Sequence, residues 1–377
     1  MTNPRQGHTA LVQSLDERGL LTPSWRAVWE RTHREAYLPA EVWRQDRDRC
    51  RPVTTAAERA ALVYSDEPVV TQVDDGAEGG PGIATASNSM PSMVARMLQL
   101  LDVHDGQRVL EIGTATGYVA ALLSARLGDQ NVTSVEIDAS LTAQAERNLS
   151  AAGLRPQLVV TDGEHGWPAG APYDRIIATC ALRHVPYRLI EQLRPGGVLV
   201  TPRVGDFWCG ALVRLTVGED GMEASGRFAG TATYMPMRSH RGTTGATPDT
   251  SRPRSLGAEV LPQEMITPGF ALYAGARLPG VTLTEGREGT YLRVWVHDHR
   301  GSGAIADAEG TVTEFGDSSL WGEVEAVWQE WDKLDRPTDT DMGLTVARSG
   351  ERVWVRNPSW RVDPLQSPPV PGPHSPT

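Results

Sequence analysis

The chain has 377 residues, a length that predicts two or more folded units. Of these residues 40% are hydrophobic and 22% charged, a composition that excludes a disordered protein. The net charge of −11 disfavours a nucleic-acid partner, which would need a basic face. Three cysteines are too few for a disulfide framework, and they form no C-x-x-C pair that would suggest zinc, so no metal site is expected.

The N-terminal part, residues 1–90, is predicted to be a helical segment followed by a loop. Apolar residues from Leu11 to Trp29 recur at helical spacing, which favours helix over residues 9–60. The stretch TQVDDGAEGGPG favours irregular structure over residues 61–90. The first residues lack an apolar signal region, and no segment reaches the roughly 18 apolar residues of a membrane helix. We therefore expect a cytoplasmic protein with no membrane partner, taken as a monomer by default.

Residues 91–240 alternate between strand and helix patterns. A helix from Pro91 precedes the predicted strands RVLEIG, VTSVEID, QLVVTDG and YDRIIATC, which alternate with the helical segments GYVAALLSARLG and LTAQAERNLSAAG. Such alternation predicts right-handed crossovers and a mostly parallel, doubly wound sheet. An antiparallel hairpin is expected next, turning at Glu219-Asp220-Gly221.

The C-terminal part is predicted to be separate. Residues 241–255 are polar and contain Pro and Gly, as a linker would, and residues 256–363 combine strand patterns with a tryptophan-bearing helix in an α+β arrangement. The segment MGLTVARSGERVWV is expected to form a hairpin of this domain. The proline-rich residues 364–377 favour a disordered tail.

A glycine turn, EIGTATG from Glu111 to Gly117, follows the first strand of the alternating region. Nicotinamide dinucleotides and S-adenosylmethionine both bind at such turns. The dinucleotide pattern G-x-G-x-x-G is absent, and the pattern of S-adenosylmethionine sites, E/D-x-G-x-G-x-G, is changed only at Ala115. Glu136 and Asp162 end the next two strands, where carboxylates accept hydrogen bonds from ribose and adenine. Each alone is an ordinary strand-end residue, but together they favour a nucleoside.

The order and spacing of SNSMPSMVARMLQLL, RVLEIGTATGY, VTSVEID, TDG, YDRIIATCA and RPGGVLVTP resemble the protein-L-isoaspartate O-methyltransferase family over roughly residues 10 to 215. The resemblance implies a class I S-adenosylmethionine-dependent methyltransferase with a Rossmann-like, doubly wound α/β sheet, here with an additional C-terminal α+β domain. The segments YMPMRSHR and SLWGEVEAVWQEW resemble an actinobacterial branch encoded beside modified ribosomal peptides, lanthipeptides and graspetides. In that branch the acceptor is an aspartate of a constrained, macrocyclic peptide, and its methyl ester collapses to an aspartimide.

The resemblance also implies the site residues. The cofactor S-adenosylmethionine is expected to contact Glu111, Gly113, Thr114, Ala115, Gly117, Tyr118, Glu136, Ile137, Asp162, Gly163 and Thr179. Ser89 matches a serine that the family carries before the first strand, and we expect it to orient the acceptor carboxylate, unless it only caps the helix after Pro91. The loop TCALRHVP departs from the family, and we expect it to bring Arg183 and His184 to the acceptor.

Two expectations concern the residues that depart from these motifs. Alanine disfavours positive φ, so we expect a negative φ and an intact turn at Ala115, whereas a strongly positive φ would favour a non-catalytic cofactor-binding scaffold. Cys180 is expected to be a buried residue and not a nucleophile. The leading interpretation is an aspartate O-methyltransferase acting on a modified ribosomal peptide, and the alternatives are a general isoaspartate repair enzyme, the scaffold, and a small-molecule methyltransferase.

Overall fold

The computed structural model describes residues 4–46, 49–208, 210–242, 250, 253–288 and 291–365. The chain divides into two compact units, the first comprising residues 1–204, 210–242 and 344–351, and the second residues 205–209, 243–343 and 352–377. Cys209, most of the predicted linker and all of the predicted tail beyond residue 365 lie outside the described residues. Over the described ranges, no helix combines the length and apolar character needed to cross a bilayer.

The first ninety residues contain helices and a small sheet. The elements are α1 (Pro4–Glu17), α2 (Pro23–Arg31), β1 (Trp43–Asp46), β2 (Arg49–Pro52), α3 (Ala56–Val63), β3 (Val69–Val73) and β4 (Ala84–Asn88). The strands pair antiparallel in the order β2-β1-β3-β4. The prediction of helix throughout residues 9–60 and irregular structure over 61–90 was therefore wrong for all four strands. The β-branched Val69 and Val70 are buried in this sheet, where strand pairing decides the conformation.

The middle of the first unit alternates strand and helix as the sequence predicts. The elements are α4 (Pro91–Leu101), β5 (Val109–Ile112), α5 (Tyr118–Leu127), β6 (Val132–Glu136), α6 (Ala139–Ala151), β7 (Gln157–Val160), β8 (Tyr173–Ala178), α7 (Tyr187–Glu191), β9 (Leu193–Arg203), β10 (Ala211–Val217) and β11 (Glu223–Thr231). Strands β5 to β9 are parallel, and the predicted antiparallel hairpin is confirmed as β10 and β11.

The strand order creates a ligand crevice. Strand β5 lies between β6 and β8. The chain runs from β5 through β6 to β7 on one side and then returns to the other side of β5 at β8, so the direction of the strand order reverses at β5. At such a switch point the loops after neighbouring strands diverge, and open α/β sheets bind ligands there, at the carboxyl ends of the strands. The glycine turn follows β5 and therefore lies at this position.

The core of the first unit holds the start of α5 in place. Helices α1, α2, α4 and α5 share an apolar cluster whose members include the buried residues Leu15, Trp29, Leu98 and Leu122. The Trp29 ring meets the Tyr118 ring edge to face at a centroid distance of 5.9 Å. Because Tyr118 is the first residue of α5, this packing fixes the helix end on which the glycine turn closes.

The second unit contains an antiparallel sheet and a helix pair. The elements here and at the C-terminal end are β12 (Arg254–Gly257), α8 (Pro262–Met265), α9 (Pro268–Arg277), β13 (Val281–Glu288), β14 (Tyr291–Asp298), β15 (Gly303–Asp307), β16 (Thr311–Phe315), α10 (Leu320–Lys333), β17 (Met342–Ala347) and β18 (Gly350–Val355). The sheet has the order β12-β16-β15-β14-β13. Trp321, Val324 and Trp331 of α10 are buried, and Trp331 meets Phe270 of α9 at 5.6 Å.

The boundaries differ from those expected in several places. Residues 1–90 cluster with the first unit and not as a separate segment. Strands β17 and β18 extend the nine-stranded sheet beside β11, although the sequence placed this hairpin in the C-terminal domain. Strand β12 begins at Arg254, inside the predicted linker. Alternating apolar residues show that a strand forms but not which sheet it joins, because either sheet satisfies the same pattern.

Candidate active site

A cavity of about 670 Å³ lies at the carboxyl ends of β5 and β6. Eight of the predicted site residues line it: Ser89, Gly113, Ala115, Glu136, Ile137, Asp162, Gly163 and Thr179. Six others are not among the described lining residues: Glu111, Thr114, Gly117, Tyr118, Arg183 and His184. The structure therefore brings the strand-end residues and Ser89 together, and it does not bring the Arg183–His184 loop to the same cavity.

The glycine turn has the geometry of a backbone cradle. Gly113 has φ of +98°, and a Cβ there would lie 2.9 Å from the Thr179 hydroxyl oxygen, so only glycine fits. The Thr179 hydroxyl donates to the Gly113 carbonyl over 2.8 Å. Asn148 donates to the Thr116 carbonyl over 2.9 Å. The turn is thus held by side chains from two other elements.

Ala115 has φ of +46°, which corrects the expectation of a negative φ. A non-glycine residue in the left-handed region costs roughly 1–2 kcal/mol. The Ala115 N–H donates to Glu136 Oε2 over 2.9 Å, and this bond to a buried carboxylate offsets the strain. Alanine therefore keeps the backbone path that glycine would take, and its methyl group adds a small apolar surface to the cavity wall.

The carboxylates of Glu136 and Asp162 border the cavity from successive strand ends. Glu136 also accepts from the Asp138 N–H over 3.2 Å, and burial raises its pKa against the lowering effect of the two N–H bonds. Asp162 accepts from the Glu164 N–H over 3.0 Å and from the Ser239 hydroxyl over 3.2 Å. These bonds fix the direction of both carboxylates before any ligand binds.

Glu111 lies beneath the turn and is fully buried. Its Oε2 accepts from the Ser134 hydroxyl over 2.6 Å, and Thr114 contacts Ser134 over 2.6 Å. Burial raises the pKa of Glu111 to about 8, so the carboxyl is protonated at neutral pH. Glu111 and Thr114 thus support the turn from below, which differs from the direct cofactor contact expected from the sequence.

We predict that Glu111→Gln is stabilising relative to the native chain, and more so as pH rises. The folded state holds a proton up to a pKa of about 8, whereas the unfolded chain releases it near its ordinary value of 4.5. The contribution of this proton to the free energy of unfolding is therefore fully present below pH 4.5 and is lost as pH rises toward 8. Glutamine keeps an acceptor for Ser134 and does not ionise. Thermal melts should show that the Tm of Glu111→Gln exceeds that of the native protein by an amount that grows from pH 5 to 8. The exposed Glu146→Gln is the control. A Tm difference that does not change with pH would contradict the raised pKa of Glu111.

Ser89 does not cap the helix that follows it. The N-cap residue of α4 is Met90, and the Ser92 N–H donates to Asp66 Oδ1 over 2.8 Å. Buried Arg34 donates to the carbonyls of Asn88 and Ser89 over 2.8 and 3.1 Å, which fixes the backbone here. The structure separates the two roles that the sequence left open, because Asp66 satisfies the helix end while Ser89 lines the cavity.

Arg183 and His184 belong to a different cluster, with Glu164 and His240. The rings of His184 and His240 stack at 4.3 Å, and His184 Nε2 lies 3.5 Å from Glu164 Oε1. The Arg183 backbone N–H donates to His240 Nδ1 over 3.1 Å, so the neutral ring carries its proton on Nε2. Neither nitrogen of His240 then offers a free lone pair, and the three side chains do not make a complete set of metal ligands.

Among the described lining residues, the positively charged ones are Arg238 and Arg241, which sequence reasoning missed. Arg238 lies 3.0 Å from Asp75 and 3.3 Å from Asp138, and Arg241 donates to Asp75 over 2.9 Å. Both arginines belong to the segment YMPMRSHR after β11. The available signal was the density of cationic residues immediately after an antiparallel hairpin, but only the fold shows that this segment returns to the crevice.

Cys180 borders the cavity as a thiol. Burial raises its pKa to about 12, so the reactive thiolate is not formed at neutral pH. This agrees with the expectation that Cys180 is not a nucleophile, whereas the residue is half-buried at the cavity wall and not buried as expected.

The comparisons with known proteins point to one family. Residues 6–240 match the model of the family Protein-L-isoaspartate(D-aspartate) O-methyltransferase. The chain is 35% identical over 212 residues to Protein-L-isoaspartate O-methyltransferase 1 of Rhodopseudomonas palustris, covering 56% of this chain and 74% of the relative. It is 34% identical over 236 residues to the Protein-L-isoaspartate O-methyltransferase of Methylorubrum populi, covering 62% of this chain and 96% of the relative.

A solved structure shares the fold over most of the chain. A protein-L-isoaspartate O-methyltransferase aligns with a TM-score of 0.56 at 19% identity, covering 93% of this chain and 100% of the other. The alignment extends well beyond residue 240, so the length of the chain does not by itself set it apart from this solved methyltransferase.

Proposed function

The chain belongs to the protein-L-isoaspartate O-methyltransferase family, and we propose that it esterifies an aspartyl or isoaspartyl carboxylate of a peptide in the cavity at the β5 switch point. The family's methyl donor is S-adenosylmethionine, which supplies a methyl group bound to a positively charged sulfur. The observation that carries the proposal is the convergence of Gly113, Glu136, Asp162 and Ser89 on one cavity.

The cavity residues fit this cofactor. Glu136 and Asp162 present carboxylate oxygens, which accept from hydroxyl and amino groups and would repel the phosphates of a dinucleotide. A Cβ at Gly113 would lie 2.9 Å from the Thr179 hydroxyl oxygen, so the turn keeps its close contact with Thr179 only with glycine there. We assign Glu136 to the ribose hydroxyls and Asp162 to the adenine amino group, with Gly113, Ala115, Ile137, Gly163 and Thr179 forming the remaining wall. Glu111, Thr114, Gly117 and Tyr118 then support the turn without touching the cofactor.

The acceptor end is assigned to Ser89, Arg238 and Arg241. A peptide carboxylate is ionised at neutral pH, so no general base is needed to activate it. Placement and exclusion of water are what the protein must supply, and such orientation contributes about 7–11 kcal/mol in favourable systems. Ser89 orients the carboxylate. The two arginines, which pair with Asp75 in the free protein, attract an acidic peptide and pair with it instead. Arg183 and His184 have no part in this assignment.

Esterification prepares a second step that needs no group of the protein. The ester carbonyl is an electrophile, and the backbone nitrogen of the following residue attacks it and expels methanol. The product is a five-membered imide. In repair the imide hydrolyses and some normal aspartate returns, whereas in peptide tailoring the imide or its hydrolysis product is the purpose of the reaction.

We propose an aspartate of a modified, macrocyclic ribosomal peptide as the narrower substrate class, with general isoaspartate repair as the second candidate. Support for tailoring comes from the resemblance of YMPMRSHR and SLWGEVEAVWQEW to the peptide-associated branch. Chain length does not support it, because the solved methyltransferase aligns over 93% of the chain. Repair is supported by the match of the family model to residues 6–240.

Mass spectrometry tests the proposed function directly. The protein is incubated with S-adenosylmethionine and one of three peptides of equal sequence: linear with aspartate, linear with isoaspartate, and cyclic with aspartate. We expect a gain of one methyl group followed by loss of methanol. Methylation of the linear isoaspartyl peptide alone favours repair, methylation of the cyclic aspartyl peptide favours tailoring, and no methylation of any peptide contradicts the proposed carboxyl transfer.

We predict that the second unit is needed for the cyclic peptide but not for the cofactor. The variant replaces residues 253–341 with a flexible linker of about 20 Gly and Ser residues, which spans roughly 25 Å. It retains residues 344–351, which cluster with the first unit, and it carries Phe207→Ser because the Phe207 ring packs on Phe270 of the excised part. Calorimetry should give unchanged affinity for S-adenosylhomocysteine, with methylation of the cyclic peptide abolished. Full turnover by this folded variant would exclude a substrate role for the second unit.

A further inference from the structure

The hydroxyl of Tyr234 is a buried polar group that no described residue satisfies. Its oxygen has no solvent exposure and no hydrogen-bond partner among the described residues, yet the side chain lines the cavity. An unsatisfied buried hydroxyl costs about 1–3 kcal/mol. Burial raises the pKa of Tyr234, so the phenol remains a neutral donor throughout the working pH range. A donor kept at this cost inside a ligand cavity indicates a partner that arrives with the ligand.

The Tyr234 hydroxyl lies near Ser89, and therefore at the end of the cavity that is assigned to the acceptor. Both side chains line the cavity, and their oxygens do not meet the geometry of a hydrogen bond. The Ser89 side chain is nevertheless near enough to the Tyr234 hydroxyl to lower its pKa against the larger raising effect of burial. The two hydroxyls therefore face the same space. Two neighbouring neutral donors suit the two oxygens of one carboxylate, which accepts from both without a change in protonation.

The backbone beneath each hydroxyl is held before substrate binds. The Ala181 N–H donates to the Met235 carbonyl, and the Met237 N–H donates back to the Ala181 carbonyl, each over 2.8 Å. Arg34 holds the Ser89 carbonyl from the other side. The Tyr234 ring packs against the apolar core that includes Leu98 and Leu122. The hydroxyl pair is thus fixed by packing and hydrogen bonds, as orientation of a reacting carboxylate requires.

We propose that Tyr234 is a second acceptor-binding residue, whose hydroxyl holds one carboxylate oxygen of the substrate while Ser89 orients the other for attack. The inference rests on the proposed function and deepens it. When the methyl group is transferred from the sulfonium, the attacking oxygen becomes the ester oxygen and the other becomes the carbonyl oxygen, which still accepts a hydrogen bond. A donor on that second oxygen therefore holds the group in place before and after the transfer. Such a pair selects a carboxylate over an alkyl or cationic side chain at this position.

Tyr234→Phe tests the proposal because it removes one oxygen atom and nothing else. We expect kcat/KM for the linear isoaspartyl or cyclic aspartyl peptide to fall about 10-fold or more, the size typical of a hydrogen bond to a charged group. The melting temperature should stay the same or rise, since the variant removes an unsatisfied buried group. Affinity for S-adenosylhomocysteine should not change. Tyr37→Phe, at a buried tyrosine that does not line the cavity, is the matched control.

The double variant Ser89→Ala with Tyr234→Phe should lose less than the product of the two single losses. Once one donor is gone the carboxylate rotates, and the remaining donor orients it less well. A lowered melting point with unchanged kcat/KM would overturn the proposal and give the hydroxyl a structural role. So would an equal loss in the Tyr37→Phe control.

Peptide binding separates this inference from the proposed function. Calorimetry with the S-adenosylhomocysteine-loaded protein and the same isoaspartyl and cyclic peptides measures acceptor binding without turnover. A peptide that binds but is never methylated contradicts the proposed function. In that case the acceptor-binding role of Tyr234 is still tested, because Tyr234→Phe should weaken the binding of the peptide. Equal affinity of the native and Phe proteins, or no binding of either peptide to the native protein, overturns the role of Tyr234.

Discussion

Glu136→Ala is expected to weaken S-adenosylhomocysteine binding by about 1.5–3 kcal/mol, the range for hydrogen bonds to a charged group. The carboxylate has two connected tasks. One oxygen accepts the Ala115 N–H over 2.9 Å and so retains a left-handed alanine in the turn. The same group borders the cavity and is assigned to the ribose hydroxyls. Its removal therefore takes away ligand contacts and frees the turn that carries them.

The variant Glu136→Gln separates the effect of the hydrogen bond to Ala115 from the effect of the charge. The amide oxygen can still accept from the Ala115 N–H, but the charge is lost, so we expect a smaller loss of affinity than in the alanine variant. Isothermal titration of the native protein and both variants measures the difference, with the exposed Glu146→Ala of α6 as control. Unchanged affinity in Glu136→Ala would remove this residue from the cofactor site.

The central fold could be predicted from the sequence because its signals are local. Each strand from β5 to β8 is short and apolar, and it is followed by a glycine, an acidic residue or a turn, so its end is marked within a few positions. The sequence signals for strands β1 to β4 are weaker, and the helical spacing of apolar residues nearby led to a prediction of helix. Pairing decides such strands, here mainly between neighbours in the chain, β1 with β2 and β3 with β4, and a single sequence does not report pairing.

The part of the cavity lining at the strand ends could be predicted from the sequence better than the part formed by the chain after β11, for a similar reason. Gly113, Glu136 and Asp162 are placed by strand order alone, since the ends of parallel strands meet at one edge. Tyr234 and Arg241 reach the cavity only because the chain after β11 folds back along Ala181. The departure of the Arg183–His184 loop from the family pattern was a real signal, but the loop faces the His240 cluster and not the cavity.

The positive φ at Ala115 shows where a rule about single residues fails. The rule that alanine avoids the left-handed region holds for an isolated turn. Here a buried carboxylate from the neighbouring strand accepts the alanine N–H, and this bond selects the conformation. A positive φ was expected to favour a non-catalytic scaffold, but Ala115 keeps the glycine-like path and the cavity beside it is open. What disfavours the scaffold is the match of residues 6–240 to a methyltransferase family, and not the φ of Ala115.

Ser89→Ala is expected to lower kcat about 10²-fold while leaving S-adenosylhomocysteine affinity nearly unchanged. The Ser89 hydroxyl is assigned to the attacking carboxylate, whose direction relative to the methyl carbon must be held, and misplacement by about 1 Å costs on this order. Stability should change little, because the Ser92 N–H at the start of α4 already has Asp66 as its acceptor. Single-turnover kinetics and thermal melts on one sample measure both quantities.

Asp66→Ala is the matched variant, since it removes the acceptor that serves the start of α4. Helix caps contribute about 1 kcal/mol, so this variant should melt at a lower temperature and lose far less rate than Ser89→Ala. Its ion pair with Arg18 adds little, because both side chains are partly exposed. Ser89 precedes α4 along the chain and Asp66 contacts the start of α4 through space, yet the two variants should affect different observables. If Ser89→Ala instead melts early and keeps its rate, the serine is structural and the acceptor assignment falls.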